Sequence, residues 1–142
     1  MTLGEQFKKE VVTARPHDSI QHAVRLMRDH GVGAVVIVND KEEPVGIVTD
    51  RDVALAIGTG ECDANTSACL IMSSDPVTID ESAGIFNATQ YMMDHRVRRL
   101  VIVDSEYGTA IGMVTFDDLL ALIARELGNL GRAIQPTLSR AA

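Results

Sequence analysis

The chain has 142 residues, a length that suits one compact domain and that should bury about 70% of the surface exposed by the unfolded chain. Apolar residues make up 46% of it and charged residues 23%, with no apolar run of about 18 residues, so the sequence excludes a membrane span. Thirteen basic and twenty acidic residues give a net charge of −7, which disfavours nucleic acid as a partner.

The start of the chain and its cysteines indicate the compartment. MTLGEQFKKEVV lacks the apolar segment and the cleavage site of a secretory signal, so we expect a cytoplasmic protein. A reducing compartment would keep the two cysteines, Cys62 and Cys69, as thiols.

The sequence is a tandem repeat. A shift of 65 residues lays Val12 to Val38 over Val77 to Val103 without a gap, and eleven of these 27 positions are identical. Chance would give about two. One inserted residue then lays GIVTDRDV over GMVTFDDL, so the pairing spans nearly fifty residues per copy.

Hydrophobic spacing predicts the order β-α-β-β-α in each copy. A short extended piece, VVTA or PVTI, precedes an amphipathic helix, capped by Asp18 or Ser19 in the first copy and by Ser82 in the second. Two β-branched runs then predict a hairpin, and a second helix begins after Thr49 or Thr115.

These elements place repeat 1 at residues 7–60 and repeat 2 at residues 76–127, joined by a linker at 61–75 that contains a short helical turn. Residues 128–142 form a C-terminal tail with two glycines and a proline, which we expect to fray. One repeat would leave its sheet half exposed, so we expect the two to pack with pseudo-twofold symmetry into one α+β domain.

Both copies resemble cystathionine β-synthase (CBS) domains. The resemblance is carried by VVTARPHDSIQHAVRLMRDHGVGAVVIVND with PVGIVTDRDV, and by PVTIDESAGIFNATQYMMDHRVRRLVIVD with AIGMVTFDDL. The pair is similar to a Bateman module, and we expect it to stand alone. The resemblance implies a non-catalytic sensor that binds AMP, ADP, ATP, NAD or S-adenosylmethionine in clefts between the repeats, forms a homodimer and signals to an unknown effector protein.

The doubled Thr-x-x-Asp of GIVTDRD and GMVTFDD has two interpretations. In a capping box, the Thr oxygen and the Asp carboxylate each accept a hydrogen bond from a free backbone N–H at the helix start. In a ligand site, the helix N-terminus would face a phosphate and the carboxylate a ribose. The resemblance assigns Asp52 and Asp118 to ribose hydroxyls, and Thr49 and Thr115 to the phosphate or ribose side.

The resemblance also implies contacts to the adenine. Backbone groups of the strand openings would face its edge, with two apolar side chains beside it. These residues are Val12, Thr13, Val77 and Thr78 for the backbone, and Ile47 and Met113 for the apolar contacts.

Arg98 and Arg99 precede a strand of the second copy, where the first copy has Gly33 and Ala34. They form either a solvated basic edge or, as the resemblance implies, a phosphate anchor, for which the planar guanidinium is suited. The first cleft would need Arg51 or a partner chain as a substitute. We therefore expect one dominant nucleotide site per chain.

The sequence lacks the motifs that are typical of metal sites and of common classes of enzyme. His30 and His95 fit helix C-termini, and no His or Cys spacing matches a metal site, so we expect no metal. The sequence has no phosphate-binding P-loop, nucleophile elbow or zinc-protease motif, so we expect neither an enzyme nor an obligatory cofactor. The alternative to the sensor is a ligand-free CBS-pair scaffold or interaction dimer.

Overall fold

The computed structural model describes residues 1–8 and 11–141, with side chains as far as residue 135. The first half contains helix α1 (Leu3–Phe7), strand β1 (Thr13–Ala14), helix α2 (Ile20–His30), strands β2 (Ala34–Val38) and β3 (Pro44–Thr49), and helix α3 (Asp50–Gly58). The second half contains a 3₁₀ helix (Ala68–Leu70), strands β4 (Ser73–Ser74) and β5 (Thr78–Asp80), helix α4 (Ile85–His95), strands β6 (Arg99–Val103) and β7 (Ala110–Thr115), and helix α5 (Phe116–Ala141). The predicted β-α-β-β-α order is confirmed in both copies.

The two sheets repeat one another in register. Strands β1 and β2 are parallel with Thr13 opposite Val36, and strands β5 and β6 are parallel with Thr78 opposite Val101. The hairpins β2–β3 and β6–β7 are antiparallel, and each has its register shift before the last residue of its first strand. The first three elements of each copy correspond at the 65-residue shift, and β3 and β7 correspond at 66, after the one inserted residue, so the repeat alignment is confirmed.

The repeats meet through a small apolar cluster. Val36 of repeat 1 and its counterpart Val101 of repeat 2 are both fully buried there, and Ile47 and Met113, which also correspond, pack against them. Burial of this kind removes apolar surface that a single repeat would expose to water. The two repeats therefore share a core, as one mixed α+β domain with pseudo-twofold symmetry.

Helix α1 was not predicted, and it packs on repeat 2 although it precedes repeat 1. Its Leu3 is fully buried in the repeat 2 core, and the Leu3 N–H donates to the Ala83 carbonyl at 2.8 Å. A capping box starts this helix: the Thr2 N–H donates to Glu5 Oε2 at 2.8 Å, and the Glu5 N–H donates to Thr2 Oγ1 at 3.3 Å. This short Thr-x-x-Glu pattern was its sequence signal.

The linker shows the same kind of crossing: it leads into repeat 2, but its strand β4 pairs with β3 of repeat 1. Helix α1 and the linker, which we call the crossing segments, each pass close to the glycine of one Gly-x-Val-Thr motif. Their proximity explains why this position is a glycine. A Cβ atom on Gly112 would lie 2.6 Å from the Phe7 carbonyl oxygen, and one on Gly46 would lie 2.3 Å from Met72 Sδ. Both distances are too short, so each glycine admits the segment that crosses it.

One of the two predicted helix caps is confirmed and the other is wrong. Ser19 caps α2, accepting from the His22 N–H at 3.1 Å, but Ser82 does not cap α4. That helix starts after Gly84, whose N–H donates to Asn87 Oδ1 at 3.0 Å. The hydroxyl of Ser82 is instead hydrogen-bonded to Asp80 in the preceding turn.

The tail was expected to fray, and this is wrong for the residues that the structure describes. Helix α5 continues through residues 128–141, while Ala142 lies outside the described residues. Apolar side chains recur at helical spacing well past the last buried one, Leu122, and this periodicity favours a helix over a coil. No helix in the described chain is long and apolar enough to cross a membrane.

Candidate functional site

Both Thr-x-x-Asp segments form complete capping boxes. The Thr115 N–H donates to Asp118 Oδ2 at 2.9 Å, and the Asp118 N–H donates to Thr115 Oγ1 at 3.1 Å. Thr49 and Asp52 make the same two bonds at 2.9 and 3.1 Å. Each carboxylate uses one oxygen for the cap, and its other oxygen accepts no hydrogen bond from the described residues. Capping therefore occurs in both copies and leaves acceptor capacity on each Asp.

A cavity of about 280 Å³ lies between the repeats, next to the second capping box. Repeat 1 lines it with the openings of β1 and β2, and repeat 2 lines it with the ends of its hairpin and the start of α5. The lining residues are Val11, Val12, Val32, Gly33 and Ala34 from repeat 1, and Arg99, Met113, Thr115 and Asp118 from repeat 2. A ligand in this cavity would touch both repeats.

Arg99 and Arg98 face different surroundings although they are neighbours in sequence. Arg99 is half-buried at the cavity and forms no ion pair with the carboxylates of the described chain. Arg98 is exposed, with its guanidinium carbon 4.7 Å from the centroid of the Phe116 ring and Nη2 3.9 Å from Asp117 Oδ1. The structure thus brings Arg99, but not Arg98, to the cavity that Asp118 lines.

The first copy offers a different setting. Ala34 corresponds to Arg99 in the repeat alignment, so the Asp52 side lacks a guanidinium at the equivalent place. Asp52 borders a separate shallow groove between α3 and the linker, beside Cys62 and Ile71. Arg51 is exposed in the first turn of α3. The two capping boxes are alike, but the side chains around them are not.

The remaining predicted site residues lie along the short opening strands and the shared core. Thr13 is half-buried in β1, and Thr78 is exposed in β5. The carbonyl oxygens of Val12 and Val77 each accept a strand hydrogen bond at 3.0 Å, from the N–H of Val36 and Val101. Ile47 packs in the cluster between the repeats. Val12 and Met113 therefore join the cavity, whereas the structure does not place Thr13, Val77, Thr78 or Ile47 in its lining.

His30 and His95 each contact a backbone carbonyl oxygen in the last turn of a helix. His30 Nδ1 lies 3.0 Å from the Leu26 carbonyl oxygen, and His95 Nδ1 lies 3.0 Å from that of Tyr91. The part of the chain that the structure describes contains no group of three or more His, Cys, Asp or Glu side chains arranged to hold a metal ion. Cys62 and Cys69 are free thiols, both partly exposed.

Comparison with known proteins agrees with this architecture. Protein MK0525 of Methanopyrus kandleri is 38% identical over 121 residues, which are 84% of this chain and 61% of that protein, so the chain spans less than two thirds of this relative. The CBS domain pair of protein MJ0100, solved with 5′-methylthioadenosine and S-adenosyl-L-methionine, superposes with a TM-score of 0.77 at 23% identity, covering 89% of this chain and 98% of that one.

A second solved structure is the CBS domain protein PAE2072 from Pyrobaculum aerophilum, complexed with AMP. It superposes with a TM-score of 0.75 at 22% identity, covering 88% of this chain and 99% of that one. At these identities the structural likeness establishes the fold alone. The CBS domain family model matches residues 5–59 and 68–125, which are the two repeats. The chain therefore belongs to the CBS domain family, as a pair of CBS repeats packed into one Bateman module.

Proposed function

We propose that the chain is a non-catalytic regulatory module that binds an adenine-containing ligand in the cavity next to Asp118. Candidate ligands are AMP, ADP, ATP, NAD and S-adenosylmethionine. One observation carries the proposal: a cavity bordered by both repeats brings together apolar walls, a carboxylate and a guanidinium. Among the residues that the structure describes, one oxygen of this carboxylate accepts no hydrogen bond and the guanidinium has no ion-pair partner. This set matches the ribose, phosphate and base of a nucleotide.

Each part of the ligand has a matching group. The unused oxygen of Asp118 suits ribose hydroxyls, which donate hydrogen bonds to it. The guanidinium of Arg99 suits a phosphate, and the apolar side chains of Val12 and Met113 suit the faces of the adenine. Thr115 lies at the start of α5, where the helix end favours negative charge.

The asymmetry between the copies supports one dominant site per chain. The Asp52 side has a carboxylate of the same geometry, but Ala34, which pairs with Thr49 as Arg99 pairs with Thr115, has no side-chain group that binds a phosphate. We propose that Asp52, Thr49, Ile47 and Val77 belong to a weaker second cleft. Arg98 is engaged with Phe116 and is not assigned to the ligand.

Regulation would follow from the ligand touching both repeats. A ligand shifts a conformational equilibrium only by its difference in affinity for the two arrangements. A nucleotide held by Val12 of repeat 1 and Asp118 of repeat 2 favours the arrangement in which both reach it. The response would pass to an effector protein, and the solved relatives that carry AMP or S-adenosyl-L-methionine support this class of ligand.

A ligand-free scaffold is the second candidate. The completed capping boxes favour it, because they account for both Thr-x-x-Asp segments without a ligand. In both candidates we propose that two chains associate as a homodimer in the cytoplasm, where Cys62 and Cys69 would stay reduced.

A thermal-shift panel separates the two candidates. It uses AMP, ADP, ATP, NAD, NADH and S-adenosylmethionine, with GMP as a control of equal charge to AMP. A ligand at a hundredfold its dissociation constant adds about 2.7 kcal/mol, which raises the melting temperature of a domain of this size by about 10 °C. A shift with an adenine ligand and none with GMP supports the sensor. No shift with any ligand at millimolar concentration supports the scaffold.

A further inference from the structure

The groove between helix α3 and the linker, with a volume of about 460 Å³, combines apolar and acidic side chains. Its aliphatic lining residues are Leu55, Ala56, Leu70 and Ile71, and its charged ones are the carboxylates Asp52 and Glu61. Leu70 is 73% exposed, more than any other leucine among the described side chains, and Leu55 is 54% exposed. Two large apolar side chains therefore face water at one groove.

The two crossing segments occupy corresponding places on the two repeats. The Leu3 N–H of α1 donates to the Ala83 carbonyl at 2.8 Å. The Ala68 N–H of the linker donates to the Asp18 carbonyl at 2.7 Å. In both bonds the residues are related by the 65-residue shift of the sequence. The shift therefore extends to the crossing segments and gives each groove residue a counterpart in repeat 2.

The counterparts show that the fold does not require exposed leucines at the groove. Leu70 of the linker corresponds to Glu5 of α1. Leu55 of α3 corresponds to Ala121 of α5, at the shift of 66 that follows the inserted residue. A charged side chain and a small one thus occupy these places in repeat 2. Contact with another molecule accounts for the leucines of repeat 1, whereas folding does not.

The groove lies in an acidic part of the chain. Between residues 50 and 75 the only basic residue is Arg51. The acidic residues of this stretch are Asp50, Asp52, Glu61, Asp63 and Asp75. None of these carboxylates forms an ion pair with the residues that the structure describes. Like charges repel, so a partner that brings positive charge to this surface is favoured.

We propose that this groove docks a cationic amphipathic segment of the effector protein. Apolar side chains of the segment cover Leu55 and Leu70, and its Lys or Arg side chains pair with Glu61 and the neighbouring carboxylates. The apolar contact supplies affinity, and the complementary charge selects the partner and speeds its approach. The proposal rests on the effector partner proposed above and is independent of the adenine ligand.

Other occupants bring the wrong charge. A second copy of the chain carries a net charge of −7. Nucleic acids and anionic membrane surfaces are negative as well. Each of these would place like charges together at the groove, whereas a cationic protein segment complements it.

Fluorescence anisotropy with synthetic peptides and the full chain tests the proposal. The probe is a labelled peptide of about 14 residues, or four helical turns, with leucines on one helical face and lysines on the other. One control peptide has glutamate in place of lysine, and the other has serine in place of leucine. We expect only the Leu/Lys peptide to bind, with an affinity that falls as the salt concentration rises.

Leu70→Glu is the decisive variant, because Glu5 occupies the corresponding place in repeat 2 and shows that the backbone accepts glutamate there. The added charge alone would strengthen the binding of a cationic peptide, so a loss reports on the apolar contact. Tyr107→Glu adds the same charge at a 69% exposed side chain between β6 and β7, outside the groove. We expect Leu70→Glu to weaken binding of the Leu/Lys peptide about tenfold and Tyr107→Glu to change it by less than about twofold.

Leu70→Ser removes the apolar side chain without adding charge, and it should weaken binding at least as much. Melting temperatures of all variants check that they fold. Equal binding of the Leu/Lys peptide to wild type and the Leu70 variants would place it outside the groove, and no binding to the wild type would also overturn the proposal. Equal binding of either control peptide would exclude a cationic amphipathic partner. The thermal-shift panel on Leu70→Glu reports on the adenine ligand separately, since Leu70 lies outside the cavity next to Asp118.

Discussion

Replacing Arg99 with alanine removes the guanidinium that borders the proposed ligand cavity. Arg98→Ala is a matched control, because it removes the same charge one residue away, from a side chain that stacks on Phe116 outside this cavity. Both variants make the net charge of the chain more negative by one. Any general electrostatic effect on an anionic ligand is therefore similar in the two proteins.

The size of the effect follows from the chemistry of the contact. A hydrogen bond to a charged group contributes about 1.5–3 kcal/mol. Arg99 is only half-buried, so solvent screening favours the lower end of this range. A loss of about 1.5 kcal/mol corresponds to about tenfold weaker binding of AMP. Adenosine lacks the phosphate, so its affinity should change by less than about twofold.

Isothermal titration of AMP and of adenosine into the wild type and the two variants measures these changes. The melting temperature of each protein is the control for folding, since Arg98→Ala loses a cation–π contact of about 0.5–1 kcal/mol. Two results would show that Arg99 does not bind the phosphate of AMP. One is an equal loss of AMP affinity in Arg98→Ala, and the other is a loss for adenosine as large as that for AMP.

Two further pairs of variants use the internal repeat as a control. Asp118→Asn and Asp52→Asn should each cost about 0.3–1 kcal/mol of stability, because a negative charge is lost at a helix N-terminus while the amide oxygen still caps. Only Asp118→Asn should weaken AMP binding, by about tenfold, and an equal loss in Asp52→Asn would contradict the choice of cavity. Gly112→Ala should cost about 1–3 kcal/mol in urea unfolding, because the Phe7 backbone cannot yield. Gly46→Ala should cost less, because the side chain it meets is flexible, and the reverse order would contradict the crossing-segment explanation.

The repeat made most of the fold predictable. Eleven identities at one shift fixed which residues correspond, and the structure pairs Thr13 with Val36 and Thr78 with Val101 at that same shift. A weak local pattern that occurs at corresponding positions in both copies is stronger evidence for a strand or helix than the same pattern occurring once. The strands and core helices of both repeats were therefore predicted, although β1 has only two residues.

Long-range packing set the limits of prediction. Helix α1 has five residues, and its position on repeat 2 depends on the burial of Leu3 and Phe7 against residues about 70 or more positions away. Two glycines, a proline and small polar residues made the tail resemble a coil, but apolar side chains recur along α5 at helical spacing, and the helix continues through them. Helix α1 is therefore defined by what packs on it, which its local sequence does not contain, whereas the helical spacing of the tail was present in the sequence.

The sequence contained enough information to predict that the side chains of Arg98 and Arg99 point to different sides of the sheet. Strand β6 begins at Arg99, and consecutive residues at a strand start point to opposite sides. Only one of the two could therefore reach a given cavity. The family resemblance implies that both arginines bind the phosphate, whereas the alternation of side chains along a strand brings only Arg99 to the cavity.

A crystal structure of the full chain, grown with the adenine ligand that gives the largest thermal shift, would show directly which cleft holds the ligand. We expect the ligand between the repeats, with its ribose hydroxyls on the carboxylate of Asp118, its phosphate at Arg99 and its adenine beside Val12 and Met113. A ligand bound only at the Asp52 side, or outside both clefts, would contradict this expectation.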